Sequence, residues 1–461
     1  MSAAPGDRRQ AAAARYLARR MERALVLGDP RGGPDAVRPP SFWVLVGAAL
    51  AALLTAGSML LELLRPPATL GAEPIVMDRD SGALYARIDE VLHPALNLTS
   101  ARLATGSAEQ PRAVGHEAID AAKRGAPIGI PGAPQRIGPA LSEAESRWTV
   151  CDGGHTTIIA GATPEPARGG LAPLPATQPI LARGPNGATQ LLYDGRRAAV
   201  ALDDPAARRA LRLEGAIPVA VSAALLGLVP EAAPLVAPPI PGRGNPGPSG
   251  LPGTRIGDVV RVERADGAEH FVVLAGGVQP VGAVLAELLT FADAGREVPT
   301  LTAAVLTGVP TVGVLAVAGY PDHLDPLAPE PAVVCATWRP DGAVHLEVGD
   351  AAPVEAPIRL AQADGDGPAV DEVHLPPGRS LFVRPDRGPR EATLVSENGV
   401  RFPLVDPDAP GLLGLPESAV PAPWSVVAAL PAGPPLGRAQ ASVARDVVAP
   451  AAAGQRGRAD Q

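Results

Sequence analysis

Hydrophobic and polar positions fall into three rhythms along the chain. Between Phe42 and Leu61 twenty residues, FWVLVGAALAALLTAGSMLL, carry no charge, and Thr55 and Ser58 are their polar members. At 1.5 Å per residue the run makes roughly 30 Å of helix, about the hydrocarbon thickness of a bilayer. It predicts a spanning helix over 42–64. A buried core helix of this length would hold more polar positions. A cleavable signal peptide would be shorter and follow a brief basic stub, whereas forty-one residues precede this segment. A signal anchor fits better.

Ahead of it, AAAARYLARRMERALVLGD places Tyr16, Leu17, Met21, Ala24 and Leu25 at helical spacing, with Arg15, Arg19, Arg20 and Arg23 around them. Gly28, Asp29 and Pro30 end that helix. Two roles suit it equally: a basic helix lying on anionic lipid, or a docking helix for a cytoplasmic partner.

Beyond the anchor the rhythm changes to short alternating Val/Leu/Ile runs with turn residues between them. Four stretches share a plan of extended run, turn, second run, X-Pro step and short Leu/Ala-rich helix. They are SGALYARIDEVLHPALNLTSARL, NGATQLLYDGRRAAVAL, DVVRVERADGAEHFVVLAGGVQPVGAVLAELL and LFVRPDRGPREATLVSENGVRFPLVDPDAPGLLGL. The X-Pro steps are His93-Pro94, Ile217-Pro218, Gln279-Pro280 and Phe402-Pro403. Asp194-Gly195, Asp266-Gly267 and Asn398-Gly399 suit tight hairpins, whose central positions take positive φ. Asp204 and Pro205 read as the cap and first turn of a helix. No unit this small buries its apolar face alone, so neighbours must share a core.

The expected layout is an arm over 1–41, the anchor over 42–64, and repeats over 70–108, 184–236, 255–300 and 376–436. Core pieces fill 110–183 and 301–375, a Pro/Gly linker 237–254 divides the body, and 437–461 is a disordered tail. The fold class is thus one N-terminal transmembrane helix plus a β-rich, mixed α/β, repeat-containing extracytoplasmic domain with a split central core.

Charge gives the anchor a direction. Residues 1–41 hold eight arginines against four acids, a net of +4, which leaves −12 beyond residue 41 out of −8 for the chain. Arginines beside a membrane stay in the cytoplasm, so the N-terminus lies inside and the body outside. The negative body argues against nucleic acid as a partner. Gly and Pro number 51 and 55 of 461, near the range of disordered chains, but 46% apolar residues argue for a folded, turn-rich protein. In an oxidising space the two cysteines, Cys151 and Cys335, most simply form a disulfide; two buried free thiols are the alternative.

Little of the chain suggests chemistry. A P-loop needs Gly-x-x-x-x-Gly-Lys-Ser/Thr, and the sole lysine, Lys123, lies in AAKRG. HEAID at 116–120 lacks the second histidine of a zinc-protease motif, and His93, His116, His155, His270, His323, His345 and His374 are widely spaced. ADGDG at 363–367, near Asp371 and Glu372, is a loose Ca²⁺ candidate outweighed by a solvated acidic loop. GPSG at 247–250 has no nucleophile-elbow frame. No catalytic, cofactor or metal site is expected, and an enzymatic role is disfavoured without being settled.

RYLARRMERALVLGDP, the anchor ending LLRP, IVMDRDSGALYARIDEVLHPALNLTSARLATG, IGIPGAP, RWTVCD and CATW together resemble the EccB family of actinobacterial type VII (ESX) secretion systems. The resemblance implies a non-enzymatic, single-pass scaffold subunit in a complex with EccC, EccD and EccE, with copies of itself within that complex. It implies that the arm helix meets partners on the cytoplasmic side. It also implies that Cys151 and Cys335 match the family's cysteine pair. Some members are labelled ATPases, although EccC would be the expected motor. An extracytoplasmic nucleotide hydrolase without a P-loop and a cell-wall-binding module are the competing readings.

Overall fold

A computed structural model describes residues 5–27, 40–63, 70–161, 170–264, 267–293, 295–389 and 391–446. The chain divides into two compact units, Met1–Thr69 and Leu70–Gln461. In the first, two helices are described, Pro5–Leu27 and Pro40–Leu63. The expected stop at Gly28, Asp29 and Pro30 lies outside the described residues.

The larger unit is mixed α/β, and its described residues form four four-stranded sheets and one of seven strands. The four small sheets share one strand order, 3-2-1-4 in the order of their own strands. In the first, Ile75–Asp78, Leu84–Ile88 and Val91–Ala95 form an antiparallel meander. The helix Leu98–Thr105 then carries the chain back so that Arg112–Val114 pairs parallel to Ile75–Asp78. A parallel neighbour demands such a crossover, since a tight turn can only reverse the chain. The second sheet repeats this with Ile180–Arg183, Thr189–Tyr193 and Arg196–Ala199, the helix Pro205–Ala210 and the parallel strand Val219–Ala220. The third uses Val259–Arg264, Gly267–Leu274, Gly277–Val281, Ala283–Ala292 and Thr300–Leu301. The fourth uses Leu381–Pro385, Thr393–Val395, Arg401–Pro403, Ala409–Leu412 and Val420–Ala422. In each, a later segment returns to the free side of the third strand. The carbonyls of Lys123, Pro230, Pro310 and Pro431 accept from the amides of Leu92, Arg197, Val278 and Arg401.

These boundaries correct the expected layout. Arg112–Val114 joins the first sheet and Ile180–Arg183 the second, so 110–183 is not all core. Thr300–Leu301 likewise joins the third sheet. Ile217-Pro218 precedes the parallel strand, whereas Pro94, Pro280 and Pro403 sit in third strands two residues after Leu92, Val278 and Arg401, so the missing N–H faces the returning segment and costs no bond to the second strand. The stretch 237–254 is not a free spacer. Ile240 and Leu251 are buried, and amides of Gly244 and Gly247 bond to the carbonyls of Ile256 and Thr254. Ile240 packs with Val259 and Val272 and Leu251 with Val260 and Val262, which together with these bonds hold the Pro/Gly segment on the third sheet. Residues 437–446 are folded too: Arg438–Ala441 is helical, Ala441 is buried, and Arg445 Nε donates to the Gly129 carbonyl at 3.0 Å. The rest of the expected tail, 447–461, lies outside the described residues.

The seven-stranded sheet joins the two core pieces in the order Ile358–Arg359, Glu372–His374, Thr156–Ala160, Trp148–Asp152, Val333–Trp338, Val344–Gly349, Ala172–Pro173. On one face Trp148, Val150 and Ile158 pack with Leu225 and Leu226 of the helix Ala223–Leu228 and with Val426 and Val427 of Trp424–Ala429. At about 2 kcal/mol for each fully buried leucine, packing outweighs the Ser222 cap, worth about 1 kcal/mol, in holding that six-residue helix. The second and third sheets share a core through Ala207, Val284 and Leu288. The first and fourth share Leu103, Ile130, Phe402 and Leu436.

Candidate functional site: the apolar helix and the stapled central sheet

The helix Pro40–Leu63 contains an 18-residue window, Trp43–Leu60, of mean hydropathy 2.0, none of it buried within the protein. Trp43, Leu50, Leu53, Leu54 and Met59 are all more than half exposed. Its two hydroxyls are satisfied locally: Thr55 Oγ1 donates to the Ala51 carbonyl at 2.8 Å and Ser58 Oγ to that of Thr55 at 2.9 Å. With backbone and hydroxyls bonded inside the helix, hydrocarbon can surround it at little cost.

On the helix Pro5–Leu27, Arg15, Tyr16, Arg19, Arg20 and Arg23 are all exposed. At about 100° per residue, Tyr16 falls with Arg19, Arg20 and Arg23. Leu17, Met21, Ala24 and Leu25 form the neighbouring stripe. Tyr16 therefore belongs to the basic face and not, as its spacing first suggests, to the apolar set.

In the central sheet Cys151 and Cys335 are direct cross-strand partners, and they are joined by a disulfide with S–S 2.05 Å and Cα–Cα 4.1 Å. Both are buried, with Ile159 and Val333, on the face opposite the packed helices. Trp148 and Trp338 pair across the same two strands. Thr149 and Thr337 lie between, their hydroxyl oxygens 2.9 Å apart.

Sequence reasoning missed the polar network on the helical face. Asp152 follows Cys151, so its side chain points the other way, into the core. Its Oδ2 accepts the Ser222 amide at 2.6 Å and its Oδ1 the Thr156 hydroxyl at 2.8 Å. Burial pushes the Asp152 carboxyl above its ordinary range, against the pull of these bonds, and the charge of Asp371 adds to the rise. Asp371, weighed above as a cation ligand, is fully buried. It accepts amides of Asp364 at 2.8 Å, Gly365 at 2.7 Å and Thr156 at 2.9 Å. Burial raises its carboxyl too, but these amide bonds outweigh that and hold it below the ordinary range. The loop ADGDG thus wraps its own carboxylate. A signal did exist in the sequence: an acid in register with apolar strand positions, as in TVCD and AVDEV.

HEAID also has a structural use. His116 bonds Asp78 Oδ2 at 3.0 Å and lies 3.3 Å from Asp120. The Ser81 hydroxyl, the Asp80 amide and His116 hold Asp78 down to about 2, and the bond to Asp78 chiefly raises His116.

The family described as type VII secretion system ESX-1, transport TM domain B, matches residues 3–450. The relative named ESX-3 secretion system ATPase EccB3, from Mycolicibacterium smegmatis, is 36% identical over 96% of this chain and 91% of its own length. ESX-5 secretion system ATPase EccB5 from Mycobacterium tuberculosis is 32% identical over 96% and 94%. Among solved structures, a chain of an intact ESX-5 inner membrane complex superposes with a TM-score of 0.71 at 29% identity, over 97% of both chains. A chain of the EccB3 dimer from the ESX-3 core complex gives 0.70 at 32% identity, over 81% of this chain and 100% of that one. With the apolar helix, the stapled sheet and both similarities running nearly end to end, this chain belongs to the EccB family of type VII secretion membrane proteins.

Proposed function

We propose that this chain is a membrane-anchored structural subunit of a type VII secretion complex, working in protein export. The observation that carries this is the apolar helix Trp43–Leu60, with no part of it buried by its own protein. It precedes a larger unit of four small sheets and one disulfide-stapled central sheet. The +4 charge of residues 1–41 supports a cytoplasmic N-terminus and an extracytoplasmic body. The shared strand order of the four small sheets supports reading them as repeats set about the central sheet.

The similar EccB3 chain of the ESX-3 core complex is a dimer, which supports pairing of this chain with a second copy. The family resemblance supports EccC, EccD and EccE as partners. The face of Arg15, Tyr16, Arg19, Arg20 and Arg23 is assigned to them or to anionic lipid. Gentle detergent extraction should release the chain in a large particle with the other components. Recovery as a free monomer would sink this reading.

A second reading, nucleotide hydrolysis, is favoured by the word ATPase in the relatives' names. Against it, AAKRG offers Lys123 no glycine-rich phosphate cradle. Purified full-length protein showing no turnover above a heat-denatured control removes it.

A further inference from the structure

Two buried carboxylates meet where the second sheet's unit joins the central sheet, and Thr156 bridges them. Its amide donates to Asp371 Oδ2 at 2.9 Å, and its hydroxyl lies 2.8 Å from Asp152 Oδ1. Asp152 is 5% exposed and Asp371 fully buried. Among the described residues no arginine or lysine is bonded to either. The other charged groups facing them are Arg183 and Asp366, around an adjoining open cleft of about 510 Å³, and Asp364 on the wrapping loop. His155 lies at the mouth, held 3.2 Å from Glu372.

The partners of the two acids differ in kind. All three partners of Asp371 are amide N–H groups, which only donate, so both its oxygens must accept and its charge is fixed there. Asp152 accepts one amide, that of Ser222, on Oδ2, and the Ser222 hydroxyl bonds it as well. Its Oδ1 meets a hydroxyl, which can either donate or accept. A proton on Oδ1 can therefore be donated to Thr156 Oγ1 while the bond to Ser222 stays. Two like charges sharing one buried bridge cannot both ionise cheaply.

We propose that Asp152 and Asp371 carry one negative charge between them, and that the proton on Asp152 works as a latch holding the helix Ala223–Leu228 on the central sheet. Ser222 caps this helix, its Oγ accepting the Leu225 amide at 3.1 Å, so the latch acts at its first turn. When Asp152 releases its proton to solvent, a second charge enters the buried network and the joint loosens. The sign follows from linkage. The folded state keeps a proton that the unfolded chain gives up near pH 4, so stability falls as pH rises from there through the raised value. The fall approaches tenfold in the opening equilibrium per pH unit.

The test is hydrogen exchange of the amides of Leu225, Leu226 and Val229 in the full-length protein in detergent, between about pH 4 and pH 8, corrected for intrinsic exchange. In the wild type protection should fall with pH. Asp152→Asn should flatten the dependence and be at least as protected at the alkaline end. Its carbonyl accepts from Ser222 and its NH₂ donates to Thr156, as the protonated acid does. Asp371→Asn should lose protection at every pH, because an amide nitrogen cannot accept. The proposal is overturned if Asp152→Asn keeps the wild-type slope. It is equally overturned if that variant fails to fold or is as weakened as Asp371→Asn, since either outcome requires an ionised Asp152.

Discussion

Replacing both Cys151 and Cys335 with alanine removes the covalent link between the halves of the central sheet. The two residues are 184 apart in sequence. For that spacing the chain-entropy model gives about 5 kcal/mol, as an upper figure because denatured chains keep some residual structure. The second and third small sheets lie wholly inside the closed loop. Unfolding the oxidised protein therefore leaves a constrained ring, whereas the double variant unfolds to an open chain with more surface exposed. A cost of about 3–5 kcal/mol, with a slope of about 3 kcal/mol per molar urea, corresponds to a midpoint lowered by about 1–2 M. The slope itself should rise in the variant. Tryptophan fluorescence is a local reporter here, because Trp148 and Trp338 are cross-strand partners in the same two strands and both are buried. Urea titrations of the oxidised protein and the double variant in detergent make the comparison. Midpoints within about 0.3 M of each other would refute the reasoning, because loop closure would then add nothing to a sheet already held by its ladder and its packed face.

Four further outcomes follow from particular positions. The amide and hydroxyl of Ser142, with Arg379 at 3.1 Å, hold the Glu145 carboxyl down to about 2. Its stabilising contribution is therefore present above about pH 4.5 and lost as pH falls through about 2. In Arg379→Ala an NMR titration of Glu145 should shift only part of the way back, since Ser142 is the larger cause; a full return would contradict that ranking. At the Asp89-Glu90 turn both residues have positive φ, 48° and 61°. Glu90→Gly should raise stability by up to about 1 kcal/mol in thermal melts. Gly195→Ala, with φ 62° and a new Cβ driven against the Val344 carbonyl oxygen, should lower it by more than about 2 kcal/mol. In the exposed centre of the apolar helix, Leu54→Arg should cost about 3 kcal/mol of insertion. It should move protein from the carbonate-resistant membrane fraction into the supernatant, and unchanged fractionation would count against the spanning role.

What the chain discloses locally differs from what only its fold discloses. The apolar run 42–61 needs no partner to be recognised, because length and lack of charge alone set its meaning. Asp194-Gly195 is equally legible: φ of 44° and 62° are what that dipeptide tolerates. The equivalent turn of the first sheet, Asp89-Glu90, also takes positive φ at both positions but without glycine, so nothing in its composition announces it. Asp266-Gly267 can be followed only in part, because residue 266 lies outside the described residues. The parallel fourth strands are two or three residues long, too short to show any period, and their partners lie far off in sequence. The carboxylate network is hidden for the same reason. Thr156 meets Asp371 across 215 residues and Ser222 meets Asp152 across 70, and no window of the sequence holds both ends of either bond.

The shared core of the first and fourth small sheets bears on the order in which the protein can be completed. Leu103 and Ile130 are synthesised early, yet their cover includes Phe402, Leu436 and Ala441. Ala444 bridges to Ile128, and the Arg445 amide donates to the Pro127 carbonyl. The first sheet can form its hairpins as it emerges, but part of its apolar surface stays wet until more than three hundred further residues have followed. A chain stopped short of Leu436 should therefore fail at its beginning, with protease sensitivity appearing around Leu98–Thr105, far in sequence from the cut.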